Sequence, residues 1–370
     1  MVNNRVFWAC QAVLFIERNT KPATDSISDA TYLTGVQAVG IDGDIPSNSL
    51  ADSGRFQQKF RYEDRQKVFN INISRVLNKT SSTFYTTANY SSSYTNTHIL
   101  HSDNIGSQGE YNPDTKCLKN YDIFILYGDD TAANIGDTAN IKYVCYRGCL
   151  LNSLSYDINV ASIITESITL TCKKLEYGTV SVASLPTVPA NGSTESGNIL
   201  KRTDIGFTLP QEAEAIFNTD ASLTVNDSTV YGIQSINLSL DLEYTNLNDV
   251  GIWRGYDSIT DINLWDFLVV PVSVTATFNG IARSIYPNQS LGNSDREFNP
   301  NKTIKVTGNT GSDYFIWDLG TKNYLTSISK SGGDTGGGNV EISLTYTNEY
   351  SDFIVAKNST IYSINNTGPY

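Results

Sequence analysis

The sequence predicts an all-β protein, and three observations carry that expectation. Long segments alternate apolar and polar side chains with period two. Strand and turn formers dominate, with 22 Tyr and 14 Phe beside 27 Gly and only one Met. Helical periodicity is scarce.

A long alternation lies over 150–170. Leu150, Asn152, Leu154, Tyr156, Ile158 and Val160 take every second position, with Ser153, Ser155, Asp157 and Asn159 between them. The pattern resumes with Ile164, Ile168 and Leu170 against Thr165, Ser167 and Thr169. Successive side chains on a strand point to opposite faces, so this is a long strand pair with one dry and one wet face. Glu166 is the one charge among the apolar positions. Val160, Ala161 and Ser162 lack the Asn-Gly or Asp-Gly of a tight hairpin, which favours a bend or an insertion.

Taken from the start, the apolar run over 6–16 follows Arg5 and reads as a first strand. A targeting segment is the alternative, although no Ala-x-Ala cleavage pattern follows it. Residues 19–30 form a loop, 35–42 a strand, and 43–64 a connection marked by Pro46 and Gly54. Over 68–77, Val68, Asn70, Asn72 and Ser74 face one way and Phe69, Ile71, Ile73 and Arg75 the other. The Ser/Thr/Tyr/Asn run over 78–97 is too poor in aliphatic residues for a core of its own, and reads as a loop or a hairpin tip. A central strand is expected over 121–128, with turns over 129–140.

The character changes after 178. Two prolines and two glycines over 181–198 mark a linker. Over 207–218, Pro210 followed by Glu212 and Glu214 suits a short helix, read as lying on the surface. Alternation returns over 232–244, where Ile233, Ser235, Asn237 and Ser239 oppose Gln234, Ile236, Leu238, Leu240 and Leu242. A strand over 267–278 contains Pro271, which belongs at an edge or a bulge. Shorter strands follow over 301–308, 313–320 and 324–333, then a glycine turn over 332–339 and a closing strand over 340–356. The expected organisation is a β-module over 1–178, a linker with a helix over 179–230, and a second β-module over 231–370.

The two modules share a pattern. Gly35-Val36-Gln37 and Gly232-Ile233-Gln234 each open a strand, and Gly54-Arg55-Phe56 and Gly251-Ile252-Trp253-Arg254 follow at the same distance. A long strand comes next in both, pairing Val68 with Val269 across a difference of four residues that one insertion accounts for. Two copies of one module is the economical reading.

The net charge of −12 argues against tight duplex binding, which rests on Lys and Arg neutralising phosphates. Five cysteines, Cys10, Cys117, Cys145, Cys149 and Cys172, do not form a disulfide framework, and buried thiols are the expectation. Cys145 and Cys149, four apart, are expected on one strand face. His98 and His101 complete no metal set. Asp129, Asp130, Asp249 and Asp257 as calcium ligands, and Asp261 with Asp266 as a glycosidase pair, are weighed against ordinary solvated acids, the favoured reading. No nucleophile elbow, phosphate loop or zinc motif is present in the sequence, so no enzyme activity, cofactor or metal is expected. No run reaches the length of a membrane span.

Gly35-Val36-Gln37, Gly54-Arg55-Phe56, Ser155-Tyr156, Thr165-Glu166-Ser167, Gly232-Ile233-Gln234-Ser235 and Trp253-Arg254-Gly255 together resemble the tail tube (major tail) proteins of tailed bacteriophages. The linker and insertions have no counterpart in that pattern. The resemblance implies β-sandwich or barrel modules whose long hairpins join those of neighbouring subunits into one inner β-barrel. It implies a virion protein that self-associates into stacked rings and meets other tail proteins, such as a terminator, baseplate or adaptor. Phage DNA would pass through without specific binding. Ser153, Ser155, Asp157, Asn159, Thr165 and Ser167 are the expected channel-lining and assembly residues, with the outer edges of their strands covered by a neighbouring subunit. Two other readings stay open: another β-rich virion part (capsid, baseplate hub or fibre), and a secreted carbohydrate-binding or adhesive β-protein, suggested by Trp253, Trp265 and the tyrosines.

Overall fold

The structure is a computed structural model and describes residues 12–18, 27–44, 47–51, 58–63, 68–77, 120–127, 140–159, 162–172, 174–186, 204–210, 213, 216–217, 224–225, 228–229, 232–246, 256–257, 262–263, 266–268, 273–281, 304–310, 313–319, 323–332, 339–348, 353–357 and 360–364. Among these, strands predominate. The first are β1 (Ala12–Arg18), β2 (Thr31–Tyr32), β3 (Val36–Asp44), β4 (Ser47–Ala51), β5 (Gln58–Glu63), β6 (Val68–Val76), β7 (Asn120–Tyr127), β8 (Asn140–Asn159), β9 (Thr165–Cys172), β10 (Lys174–Ser181) and β11 (Ile205–Thr208). Then come β12 (Thr224–Val225), β13 (Ser228–Thr229), β14 (Ile233–Asp241), β15 (Tyr244–Asn246), β16 (Tyr256–Asp257), β17 (Ile262–Asn263), β18 (Asp266–Leu268), β19 (Ser273–Ile281) and β20 (Lys305–Thr310). The last are β21 (Asp313–Asp318), β22 (Tyr324–Ser331), β23 (Glu341–Asn348), β24 (Phe353–Lys357) and β25 (Thr360–Ile364). The described strand pairs are antiparallel, so the all-β expectation holds.

Strand β8, twenty residues long, ties the architecture together. Its first half runs between β7 and β10, with β1 beyond β7. Its second half runs between β9 and β14, inside a row ordered β3-β6-β9-β8-β14-β19-β23-β22. The row thus joins strands from both expected modules. The change of partners falls at a bulge, where Tyr121 faces Cys149 but Ile123 faces Tyr146, leaving Asp122 against both Arg147 and Gly148. Gly148 takes φ 63°, a conformation glycine adopts without steric cost. The buried Asp122 carboxylate accepts from Arg147 Nη1 at 2.6 Å and from the Gly148 N–H at 2.9 Å, while Arg147 Nε donates to Glu176 at 2.9 Å. Burial raises the affinity of Glu176 for its proton, but hydrogen bonds from Lys174 and Arg147 outweigh that and leave its pKa lowered.

The extra residue reverses the side-chain phase. Cys145 therefore packs with Leu14, Phe124 and Leu126, whereas Cys149 joins Tyr146 in the main core, so the two thiols do not share a face as expected. Cys149 and Cys172 are buried free thiols, and burial pushes the Cys149 thiol well above its usual pKa. Cys10, Cys117, His98 and His101 lie outside the described residues, as do the 78–97 run, the Gly54 and Gly251 motifs, and the turns expected over 129–140 except Asn140, which begins β8.

One face of the eight-strand row is dry. Ile71, Ile73, Leu154, Tyr156, Ile168, Leu170, Leu238, Leu240, Phe278 and Leu344 lie on it, all buried. Trp317 of β21 packs edge-on against Tyr156, with ring centroids 4.8 Å apart, in a second sheet ordered β11-β20-β21-β24-β25. Ala213, Ile216 and Phe217 are helical and buried in the same core. Their spacing of three and four brings them to one stripe of a helix, so the expected surface helix is a core element instead, and Phe207 and Thr208 belong to β11.

Other differences have local causes. β8 and β9 form a hairpin across 160–164, a reversal rather than the expected bend or insertion; Asp157 faces Thr165, and Ser162 N–H bonds to the Asn159 carbonyl at 3.3 Å. Within the connection over 43–64 a small hairpin of β4 and β5 forms. The strand expected over 340–356 is two strands in different sheets, β23 and β24. The strand expected over 267–278 is also divided, into β18 and β19, with Pro271 between them.

The row falls into two four-strand groups of like order. β3-β6-β9-β8 and β14-β19-β23-β22 each place their first, second, fourth and third strands side by side. Both opening strands carry a bulge at the residue after the first, between Val36 and Ala38 and between Ile233 and Ser235. Both third strands carry one too, at Asn152 and at Thr326. The Gly35 carbonyl accepts from Val76 N–H at 2.9 Å and the Gly232 carbonyl from Ile281 N–H at 3.0 Å. Following the pairings, Val68 corresponds to Ser273 rather than to Val269, and Ser167-Ile168-Thr169 to Ser343-Leu344-Thr345. Gly35 has φ 75°, and a Cβ there would lie 2.3 Å from the Val76 carbonyl oxygen; one on Gly280 would lie 2.5 Å from the Gly232 oxygen. Gly35→Ala and Gly280→Ala are each expected to cost about 1–3 kcal/mol, read as a lowered urea midpoint. Unchanged midpoints in both would contradict these close approaches.

Candidate functional site

Opposite the dry face lies a continuous polar one, and it contains every residue singled out from the 150–170 pattern. Ser153 faces Thr169, Ser155 faces Ser167 and Asp157 faces Thr165 across β8 and β9. On the other flank Ser153, Ser155, Asp157 and Asn159 face Asp241, Ser239, Asn237 and Ser235 of β14. Asp157 and Asn159 are exposed, while Ser153, Ser155, Thr165 and Ser167 are partly so. All six thus stand on one side of two adjacent strands, as the alternation implied.

The face extends well beyond that hairpin. Asn70 and Asn72 of β6 join it on one side, and Thr275, Thr277, Thr345 and Ser329 on the other. Its side chains bond across strands. Asn237 Nδ2 donates to Asp157 Oδ1 at 2.6 Å, Thr171 Oγ1 to Asn70 at 2.9 Å, Thr169 Oγ1 to Asn72 at 3.1 Å, and Asn279 Nδ2 to Ser235 at 3.0 Å. Ser239 with Thr275, and Thr277 with Thr345, add hydroxyl pairs. Such cross-strand pairs stabilise the sheet and hold these side chains in place.

The charges on this face have one sign. Asp42, Asp157, Asp241 and Glu341 are exposed there, and among the described residues paired within the row no Lys or Arg stands at a wet position; Lys142 and Arg147 lie in the half of β8 that pairs with β7 and β10. Arg75, which alternation puts with Ile71 and Ile73, is buried on the dry side and hydrogen-bonded through Nε to Glu166, its cross-strand neighbour. This explains the lone acid among the apolar positions of β9.

Sequence reasoning found the β8 and β9 part of the face but not its continuation. The signal was present in the polar positions of 68–77 and 232–244. It was obscured in the second by the Gln234 bulge, which lets Ile233 and Ile236 both be buried. The flanks of the β8–β9 hairpin, expected to be covered by a neighbouring subunit, are covered by β6 and β14 of the same chain. Among the described residues, no further strand pairs with the row beyond β3 or β22.

Among the described residues no cluster of three or more His, Cys, Asp or Glu could hold a metal ion, and no helix is long and apolar enough to cross a membrane. Asp129, Asp130, Asp249, Asp261, Trp253 and Trp265 lie outside the described residues. The chain is an all-β protein built on large antiparallel sheets. No family model matches it, and no curated protein matches it.

Proposed function

We propose that the chain is a tail tube subunit of a tailed bacteriophage, which self-associates into stacked rings and conducts DNA without gripping it. The observation that carries this reading is the polar face, eight strands wide, rich in Ser, Thr and Asn, with only acidic charges at its described positions. Attraction between a wall and phosphate would slow transit and vary steeply with salt, whereas weak repulsion lets a polyanion slide. On this reading the two four-strand groups are copies of one module, and their row is an arc of an inner barrel with Ser153, Ser155, Asp157, Asn159, Thr165 and Ser167 towards the lumen. Their shared strand order and bulge positions support the first point. Other tail proteins would cap the stack, and no cofactor enters.

The test is charge reversal on the wet face. Asp157→Lys with Ser155→Lys shifts the local charge by two units and by one, at positions whose side chains are not part of the core. The assembled protein is expected to keep its shape and to retain labelled DNA at low salt, losing it as ionic strength rises. Virions carrying the pair are expected to eject more slowly. Assemblies that bind DNA no better than the parent, with ejection unchanged, would refute the assignment of this face to the lumen.

A further inference from the structure

We infer that β22 of one copy pairs with β3 of the next, in the register that β8 and β14 adopt within a single chain. The inference rests on the self-association proposed above and specifies its seam. β8 and β14 form the junction between the two four-strand groups, as the third strand of the first and the first strand of the second. β22 and β3 occupy those same places in their own groups, and among the described residues neither has a partner on its outer side. The junction is therefore a template, inside each chain, for a contact between chains.

The register follows from the pairings. Ser153 corresponds to Ser327 through Thr169 and Thr345, and Asp241 to Asp44 through Val68 and Ser273. The internal pairs Ser153↔Asp241, Leu154↔Leu240, Ser155↔Ser239 and Tyr156↔Leu238 then become Ser327↔Asp44, Ile328↔Gly43, Ser329↔Asp42 and Lys330↔Ile41 between copies. Exposure agrees. Leu154 and Leu238 are fully buried at the junction, while their counterparts Ile328 and Ile41 are 44% and 38% exposed, two of four large apolar side chains found so exposed among the described residues. In the seam Ile328 lies over Gly43 and diagonal to Ile41, within reach of cross-strand packing. Lys330 extends its stem over Ile41 and keeps its ammonium at the rim, and as a charge on the dry side of an edge strand it disfavours unplanned pairing. The contact is head-to-tail, using different surfaces on the two copies, so repetition closes a ring or runs on as a helix.

The test is a cross-link in the full chain. Asp42→Cys and Ser329→Cys are combined, oxidised under native conditions, and compared with each single variant on non-reducing gels. Within one chain these positions lie at opposite ends of the row, on the order of 30 Å apart at ~4.8 Å per strand, too far for a disulfide. The expected result is a ladder of covalent multimers in the double variant alone, with positions 42 and 329 joined in the peptide map. A link within one chain would overturn the seam. So would assembly, seen by sedimentation, without the 42–329 link; that outcome leaves the self-association reading standing. No assembly of the parent protein at any concentration would refute that reading and the seam with it. Ile328→Asp, at an exposed position, is expected to abolish assembly with an unchanged circular dichroism spectrum; full assembly of this variant would also overturn the seam.

Discussion

Replacing Glu166 with alanine is expected to cost about 3–5 kcal/mol, the usual result of leaving a buried charge without its partner. The side chains of Arg75 and Glu166 are 2% and 0% exposed. Arg75 Nη1 also donates to the Thr34 carbonyl, at 3.4 Å, too long a contact to replace the carboxylate. A loss of that size is a large share of the ~5–15 kcal/mol that holds a typical domain together. The second four-strand group shows how the site can do without ions, because Gly280 and Ile342 stand where Arg75 and Glu166 stand in the first. Arg75→Met with Glu166→Ile is therefore expected to recover most of the loss, since apolar replacement of a buried pair is often neutral or better. Urea denaturation of the three proteins checks both statements. A loss under about 1 kcal/mol for Glu166→Ala, the range of exposed pairs, would mean that water reaches the pair.

Ser155→Pro is expected to prevent folding rather than assembly alone. Ser155 lies in the middle of β8, opposite Ser167 on one side and Ser239 on the other. Whichever neighbour its N–H faces, proline removes that donor, leaves an acceptor unpaired at about 1–3 kcal/mol, and forces its ring into a paired central strand. Ser167→Pro meets the same fate between β6 and β8. Limited proteolysis and circular dichroism of both variants are the measurements. A folded, protease-resistant monomer from either would show that one flank of the β8–β9 hairpin is open, and would return the intersubunit contact to that hairpin.

Much of the fold was legible because alternation is a local property. The 68–77 and 150–170 segments carry enough apolar residues at period two to declare both their type and their dry side, while 121–128, buried on both faces over 121–126, declares a central strand by its density of β-formers. Arg75 and Glu166 were both visible as lone charges on dry faces. Their pairing required knowing that β6 and β9 are neighbours, which no local pattern states. Bulges account for most of what stayed hidden. One inserted residue at Gly148, Asn152 or Gln234 reverses the phase of everything after it, so Cys145 and Cys149 part company and Ile233 joins Ile236 inside. The β4–β5 hairpin was obscure because Ser47–Ala51 has almost no strand-forming residues. The like order of the two four-strand groups touches the sequence at Gly35-Val36-Gln37 and Gly232-Ile233-Gln234, where each opening strand bulges at its Gln. The match to the following strand then slipped from Ser273 to Val269, because the apolar run before Pro271 imitates the strand it precedes. The polar face itself was readable strand by strand, but its width is a fact of topology.

The shared strand β8 also sets a timetable for synthesis. Its second half gains a partner quickly on one side, since β9 follows within a few residues, but its other side waits for β14. Asp157 and the Asn237 that bonds to it are 80 residues apart. At about 5–20 residues per second a ribosome needs roughly 4–16 seconds to supply that stretch. During that interval the nascent chain presents a ready-made edge, with Leu154, Tyr156 and Ile158 uncovered on its dry side, next to other copies emerging from the same message. If finished copies join through the seam proposed above, the same edge chemistry would join unfinished ones, and yield in a cell is then expected to fall when the arrival of β14 is delayed.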